Sequence, residues 1–520
     1  MQQESLIDIP EQPQRPPLTE LPSQPVIEAA PRLKLRLADR SKLVLTAIAL
    51  EDALPANHRA RAIVALLERV DTQAFYTGIR SLEGKAGRSM RDPKTMIAVI
   101  LYAYSEGIGS MREVSALTEH DPALMWITGL DVICHTELSE FRREQKAALD
   151  ELFAQLLTVL DQAQVINLDQ VTVDGTRIRT VAGIDTYRRP KTIERKLEQA
   201  REWVRKLEAG EAQEGRLERR LRAQQELIER LEAGQRELEK IQQAKPASED
   251  ELRVSTTEPE ARRMRTAQDG YISAYNTQLM TESTNKVIVN VEVTNVSHDG
   301  KHLEPMLEQV EERLGQLPKQ VLADGAYISE GNLRKVAERE VELIGPWPDK
   351  TVHTRTGLNK TGIDAAFGPD VFVWEPERKV FVCPMGKDLS FWKMHHKDRD
   401  RHYGWYRAQA SDCSGCEHRQ RCVQLKRREK GEGRLLQVLQ QHPLVTAHQA
   451  KMATERAKEA YRKRGEVAEF PNAWLKDKIG LRKFRLRGLA KAKIEALWAC
   501  LAYNVAIWRR KVWLPELKAA

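Results

Sequence analysis

The sequence predicts an α/β fold in which a mixed-sheet core follows an all-helical N-terminal domain, with a helical hairpin interrupting its middle and a cysteine-bearing segment near its end. Three observations carry this expectation. Short β-type runs alternate with helical stretches, and two of them, Val171 to Asp174 and Gln320 to Asp324, close on Asp-Gly. Apolar residues step by three and four both ahead of the first run and between Thr192 and Gln243. Four cysteines gather between Cys383 and Cys422. At 520 residues the chain exceeds one ordinary core, and two to four domains are expected at ~100–200 residues each.

Residues 1–31 are rich in Pro, Gln and Glu without sustained periodicity and read as a disordered tail. Over 54–160 the helical spacing of Ile63, Leu66, Leu67 and Val70, then Ile97, Ile100, Leu101 and Tyr104, predicts a helical domain. Gly107-Ile108-Gly109-Ser110 breaks one helix, and Ser110 with Glu113 restarts another as a capping box. Residues 165–190 and 255–350 supply the first part of the core. There Val171 to Asp174 is a strand with a carboxylate at its end, Tyr271 to Gln278 and Val287 to Thr294 form a hairpin around Thr284-Asn285-Lys286, and Glu304 to Leu314 is a helix. Gln320 to Leu322 and Val341 to Trp347 are further strands.

Residues 191–245 step as Ile193, Leu197, Ala200, Val204, Leu207 and as Leu217, Leu221, Gln224, Ile228, Leu231, Leu238, interrupted at Gly210 and Gly215. That is a coiled-coil hairpin, with one long helix as the alternative. Residues 351–440 hold the cysteine cluster, and 441–510 are C-terminal helices completing the core.

Aromatics at 6% and charged residues at 30% fit a protein with much exposed helix better than an all-β one. The longest apolar stretches, Met96 to Tyr104 and Leu497 to Trp508, fall short of the roughly 18 residues a membrane span needs, and no charged-then-apolar leader opens the chain, so no membrane partner and a cytoplasmic location are expected. A net charge of +8 is mild, but its distribution is uneven. Lys476, Lys478, Arg482, Lys483, Arg485, Arg487, Lys491 and Lys493 share a stretch whose acid before Glu495 is Asp477, interleaved with Leu481, Phe484 and Leu486. Such a run is either a solvated face or a phosphate-binding one.

An Asp before Gly usually just makes a turn. Asp174 and Asp324, however, both follow apolar strands of one expected sheet, where adjacent carboxylates repel unless a cation lies between them. Hard oxygen ligands of this kind select Mg²⁺ or Mn²⁺. Cys413-x-x-Cys416, Cys422 and the upstream Cys383, beside Pro384 and Gly386, offer four thiolates suited to tetrahedral structural Zn²⁺. His418 could replace one of them, and four reduced cysteines without metal are the alternative. Cys134 and Cys500 lie in apolar helical contexts and read as core packing, and His395-His396 as surface.

Tyr461-Arg462-Lys463-Arg464, then Glu469, then Lys476 after six intervening residues resembles the Tyr-Arg-Glu-Lys signature of DDE transposases from bacterial insertion sequences. Val173-Asp174-Gly175-Thr176 resembles the family's first-aspartate strand, Ala323-Asp324-Gly325-Ala326-Tyr327 its second, and Arg487-Gly488-Leu489 through Asn504 its closing helices. Asp92 to Arg143, with His135-Thr136-Glu137-Leu138-Ser139 before Phe141-Arg142-Arg143, resembles its N-terminal domain. One departure stands out: four residues, not the usual three, separate Arg464 from Glu469, so Glu466 competes as the third acid. Glu469 is preferred because it keeps the six-residue gap to Lys476.

The resemblance implies a ribonuclease-H-like core, with Asp174, Asp324 and Glu469 as catalytic ligands of Mg²⁺ or Mn²⁺. It also implies a DNA interface, to which Tyr461, Arg464, Lys476, Lys483, Arg485 and Arg487 are assigned. The implied partner is double-stranded DNA, at element terminal repeats and targets, bound by a homodimer or larger assembly associated with the nucleoid. The implied chemistry is strand cleavage by water and strand transfer by a DNA 3′-hydroxyl. A catalytically silent DNA-binding derivative is the alternative.

Overall fold

Helical spacing between Arg59 and Leu160 becomes helices α1 (Arg59–Leu67), α2 (Pro93–Ser105), α3 (Met111–Leu117), α4 (Pro122–Thr128), α5 (His135–Glu144) and α6 (Lys146–Gln162). The computed structural model describes residues 48–519 except 78, 80–89, 210–216, 245–250, 267–268, 349–357, 359, 399–400 and 440–442. The tail expected over 1–31 lies outside the described residues, as does the turn between Gly210 and Gly215. Ser110 caps α3, its hydroxyl accepting the Glu113 amide at 3.4 Å. Cys134 corrects the sequence reading: it is exposed at the N-terminal end of α5, whereas Cys500 is buried as expected. The apolar neighbours of Cys134 in sequence end at Ile133, and the chain turns outward to begin the helix.

The central sheet contains β1 (Gln170–Arg179), β4 (Arg262–Thr266), β5 (Gly270–Glu282), β6 (Ile288–Thr294), β7 (Gln320–Leu322) and β8 (Glu342–Ile344), while β2 (Tyr187–Arg188) and β3 (Val254–Ser255) pair separately. Its order is β5-β1-β7-β8, with β4 on the first half of β5 and β6 on the second. β1 runs antiparallel to β5 and parallel to β7, and β7 parallel to β8. The strand expected over Val341 to Trp347 is shorter because Pro346 and Pro348 lack the amide a ladder needs. β1 is longer than its apolar run, since pairing with β5 continues to Arg179, five residues past Asp174. Asp174 therefore lies within a strand, at the point where β7 has ended.

α7 (Pro190–Glu208) and α8 (Leu217–Ala244) pack through Ile193, Leu197, Leu231 and Leu238, joined by Leu252 and Val254 at the base. Arg262 of β4 holds the base through Glu237 at 2.6 Å. α9 (Leu303–Leu314) and α10 (Glu330–Glu338) flank the sheet. A second, antiparallel sheet of β9 (Val373–Glu375), β10 (Val380–Val382), β11 (Asp388–Asp398), β12 (Arg401–Ala408) and β13 (Leu435–Leu439) has its own small core of Phe372, Leu389, Ala408 and Leu436.

The chain closes with α11 (Pro443–Ala453), α12 (Glu455–Asp477) and α13 (Leu489–Trp508). α13 is apolar all round, which suits a helix enclosed on every side. It packs against α2, α5 and α6 on one side and β6 on the other. Among the described residues no helix is long and apolar enough to cross a membrane.

Candidate functional site

Parallel pairing of Thr172 with Leu322 sets the register between β1 and β7. Side chains alternate, so Asp174, two residues on from Thr172, lies on the face of the sheet that Leu322 shares, and Asp324 follows in the turn just past β7, near enough for its charge to act on Asp174. Leu322 marks that face, because it packs against Ala457 and Tyr461 of α12. Burial pushes the Asp174 carboxyl up to about 6; the Arg464 guanidinium opposes this, and the charges of Asp324 and Asp299 add to it. Asp324 accepts the Ala326 amide at 2.8 Å, which fixes the turn after β7.

α12 begins at Thr454, whose hydroxyl accepts the Ala457 amide. One side of it lies along β1. Arg464 Nη2 donates to Asp174 Oδ1 at 2.7 Å, Asn472 Nδ2 donates to Asp174 Oδ2 at 3.0 Å, and Lys476 Nζ donates to the Thr176 hydroxyl. Burial lowers the Lys476 pKa, with the nearby Arg482 acting in the same direction.

Glu466 faces elsewhere: it pairs with Lys286 Nζ at 2.5 Å in the turn after β5, and Lys286 also lies 4.9 Å from the Phe470 ring. At 100° per residue this side is roughly 200° around the helix from Arg464. Glu469 is exposed on the intervening flank, three residues before Asn472. Among the described residues no three His, Cys, Asp or Glu side chains converge closely enough to hold a metal ion. The guanidinium of Arg464 instead supplies the positive charge beside Asp174.

Asn472 and Asp299 of this region went unassigned in the sequence. Asn472 shares the helix side of Arg464. Asp299, 14% exposed, accepts Asn276 Nδ2 at 2.6 Å and Gln278 Nε2 at 2.7 Å, and the Tyr327 hydroxyl donates to Gln278. A Cβ on Gly175 would meet Gln278 Nε2 at 2.4 Å and Asp299 Oδ1 at 2.7 Å, so the residue after Asp174 must be glycine for this cluster to fit. Asp299 precedes Gly300, the same Asp-Gly signal that drew attention to Asp174 and Asp324.

The other assigned residues separate. Tyr461 packs on the apolar patch of Leu322 and Ile344. Residues 482–489 are pinned by buried carboxylates: Glu495 accepts the amides of Arg485 and Leu486, and Glu258 accepts that of Gly488. Phe484 extends this anchoring by donating its amide to the Arg179 carbonyl at the end of β1. Lys483 and Arg487 are left exposed. The Arg485 guanidinium lies over Gly109 and 4.0 Å from Glu495.

Cys383, Cys413, Cys416 and Cys422 line one small cavity with His418. Cys383 Sγ accepts the Lys387 amide at 3.3 Å and Cys413 Sγ the Arg434 amide at 3.5 Å. Burial raises the Cys413 thiol and pushes Cys422 up to about 11.

Interacting carboxylates beneath a helix rich in cations suit a protein that handles phosphodiesters. Residues 382–507 match the family described as transposase DDE domain, and residues 48–144 match the transposase domain DUF772. The two matches support a DDE transposase, whose implied partner is DNA. The first takes in Glu469, the four cysteines and strands β11 to β13; Asp174 and Asp324 lie outside both. No curated protein matches the chain.

Proposed function

We propose that this chain is the transposase of a bacterial insertion sequence, cutting and rejoining DNA at element ends with Asp174, Asp324 and Glu469 as ligands of Mg²⁺ or Mn²⁺. The observation that supports this reading best is the contact of α12 with β1, where Arg464 donates to Asp174 and Lys476 to Thr176, with the Asp324 charge acting on Asp174 from the turn past β7. A ribonuclease-H-like core is supported by the sheet order β6-β5-β1-β7-β8, with β1 antiparallel to β5 and parallel to β7.

Two divalent ions held by Asp174, Asp324 and Glu469 would supply activation of water or a 3′-hydroxyl and neutralisation of the leaving oxygen. The chain's own groups prepare that place. Asp174 would offer oxygens from β1 and Asp324 from the turn after β7, and Glu469, exposed on the flank of α12, is the acid assigned to join them. Arg464 balances the Asp174 charge until a cation does so. Lys476 keeps an ammonium beside Thr176, two residues along β1 from Asp174, where it can meet a phosphate. Lys483 and Arg487 extend the cationic rim for double-stranded DNA held by two or more protomers.

The four cysteines are read as a structural Zn²⁺ site. Their common cavity supports this, and the amide donors to Cys383 and Cys413 would favour thiolates, whereas among the described residues no three of these side chains converge closely enough to hold an ion as they stand.

Incubation with element ends and Mg²⁺ tests the reading. Strand-specific nicks are expected from the parent. Asp174→Asn, Asp324→Asn and Glu469→Gln should each lower cleavage by at least about a hundredfold while retaining DNA binding, because they remove cation ligands and not phosphate contacts. Cutting by Glu469→Gln but not by Glu466→Gln would transfer the third role to Glu466. The separation of Glu469 from the aspartates favours a second reading, a silent DNA-binding derivative, which predicts that the parent binds ends without nicking them.

A further inference from the structure

The sheet β9 to β13 packs part of one face over its small core and carries a separate cluster of aromatic rings on the other. Leu389, Tyr406 and Ala408 turn inward. Arg407 and Trp405 alternate with them and face outward, joined by Trp392, Lys393 and His395 of β11. A register shift between Phe391 and Lys393 forms a bulge at Trp392, the device that re-aims a strand side chain. The two indoles lie 5.6 Å apart and the His395 ring lies tilted 4.8 Å from Trp405. Lys393 sits 4.6 Å and 4.8 Å from the two indoles, and Arg407 4.9 Å from Trp392. Trp392 is still 37% exposed, and among the described residues the buried Trp405 Nε1 has no hydrogen-bond partner. These five residues include two permanent cations and no acid.

We propose that this face is a stacking platform for unpaired nucleotides of the DNA on which the protein acts, an inference that rests on the transposase reading. Indole and imidazole rings can each take the face of a base, while the mobile arms of Lys393 and Arg407 swing from the rings to the phosphates on either side. A duplex hides its base faces within its own stack, so the aromatic surface selects single-stranded DNA, and the cations supply the charge complementarity.

The test titrates the full chain with single-stranded oligothymidine and with a duplex of equal length, following anisotropy and tryptophan quenching. Trp392→Ala should weaken the single strand on the order of tenfold and leave the duplex unchanged, with Trp392→Phe restoring most of the loss. Lys393→Gln with Arg407→Gln, both exposed, keeps the test open if the tryptophan variant misfolds; it should lower the single-strand salt slope by about two charges. Unchanged single-strand affinity, or equal losses on both DNAs, overturns the platform. So does a change in sedimentation without a change in affinity, which would make the face a contact between copies. A parent that binds neither DNA overturns the transposase reading itself.

Discussion

Asp174 carries its charge at a cost in the folded chain. Its pKa is raised from 3.8 to about 6, so the folded state binds the proton more tightly than the unfolded state does. Stability associated with this group is therefore greatest at low pH, declines as pH rises between about 4 and 6, and is constant above. The full difference is about 3 kcal/mol. In metal-free protein, Asp174→Asn should gain on the parent by up to that amount across this window and hold the gain at higher pH. Denaturant melts at several pH values with chelator present measure it; a pH-independent gap would mean that Asp174 does not titrate there. Arg464→Gln should move the parent's window upward, because Arg464 is the cation that opposes burial.

The helical hairpin and the cysteine-bearing sheet are separable elements. α7 and α8 share a narrow apolar seam of their own, and Glu237 to Arg262 ties the pair to β4 at its base. Replacing residues 200–235 with a Gly-Ser linker should thus preserve folding and Mg²⁺-dependent nicking of a single end, but reduce pairing of two ends. Loss of single-end nicking in a folded deletion would assign the hairpin to the active site. In the second sheet, four cysteines around one cavity predict about one zinc per protomer in protein purified without chelator. Metal analysis that finds none would leave Cys383, Cys413, Cys416 and Cys422 as half-buried thiols, consistent with the upward push on Cys413 and Cys422.

At the scale of the whole molecule, α13 joins the N-terminal helices to the sheet. Trp498 Nε1 donates to the Arg142 carbonyl at 3.1 Å, Glu495 holds the segment before α13, and Asn504 bonds both backbone groups of Ile288 in β6. Trp498 is 1% exposed. Trp498→Ala should cost about 3–5 kcal/mol through the cavity it leaves. Circular dichroism and intrinsic fluorescence should show a single shifted transition; two separated transitions would mean that the helical region and the sheet do not depend on each other.

Local signals wrote much of this structure into the sequence. The capping pair at Ser110 and Glu113, the β5 to β6 turn at Thr284 to Lys286, and the apolar runs closing on Asp174 and Asp324 act through neighbours a few residues away, so spacing and residue type suffice to reveal them. Only the tertiary structure decided which way each side chain turned. It brought the Asp324 charge to bear on Asp174, gave both Asp174 oxygens to Arg464 and Asn472, aimed Glu466 at Lys286, and brought Asp299 under Gly175. It also put Cys134 in solvent. These outcomes depend on helix rotation and strand pairing between segments more than a hundred residues apart, fixed by the packing of α12 and α13 against the sheet and not by any pattern within one stretch of chain.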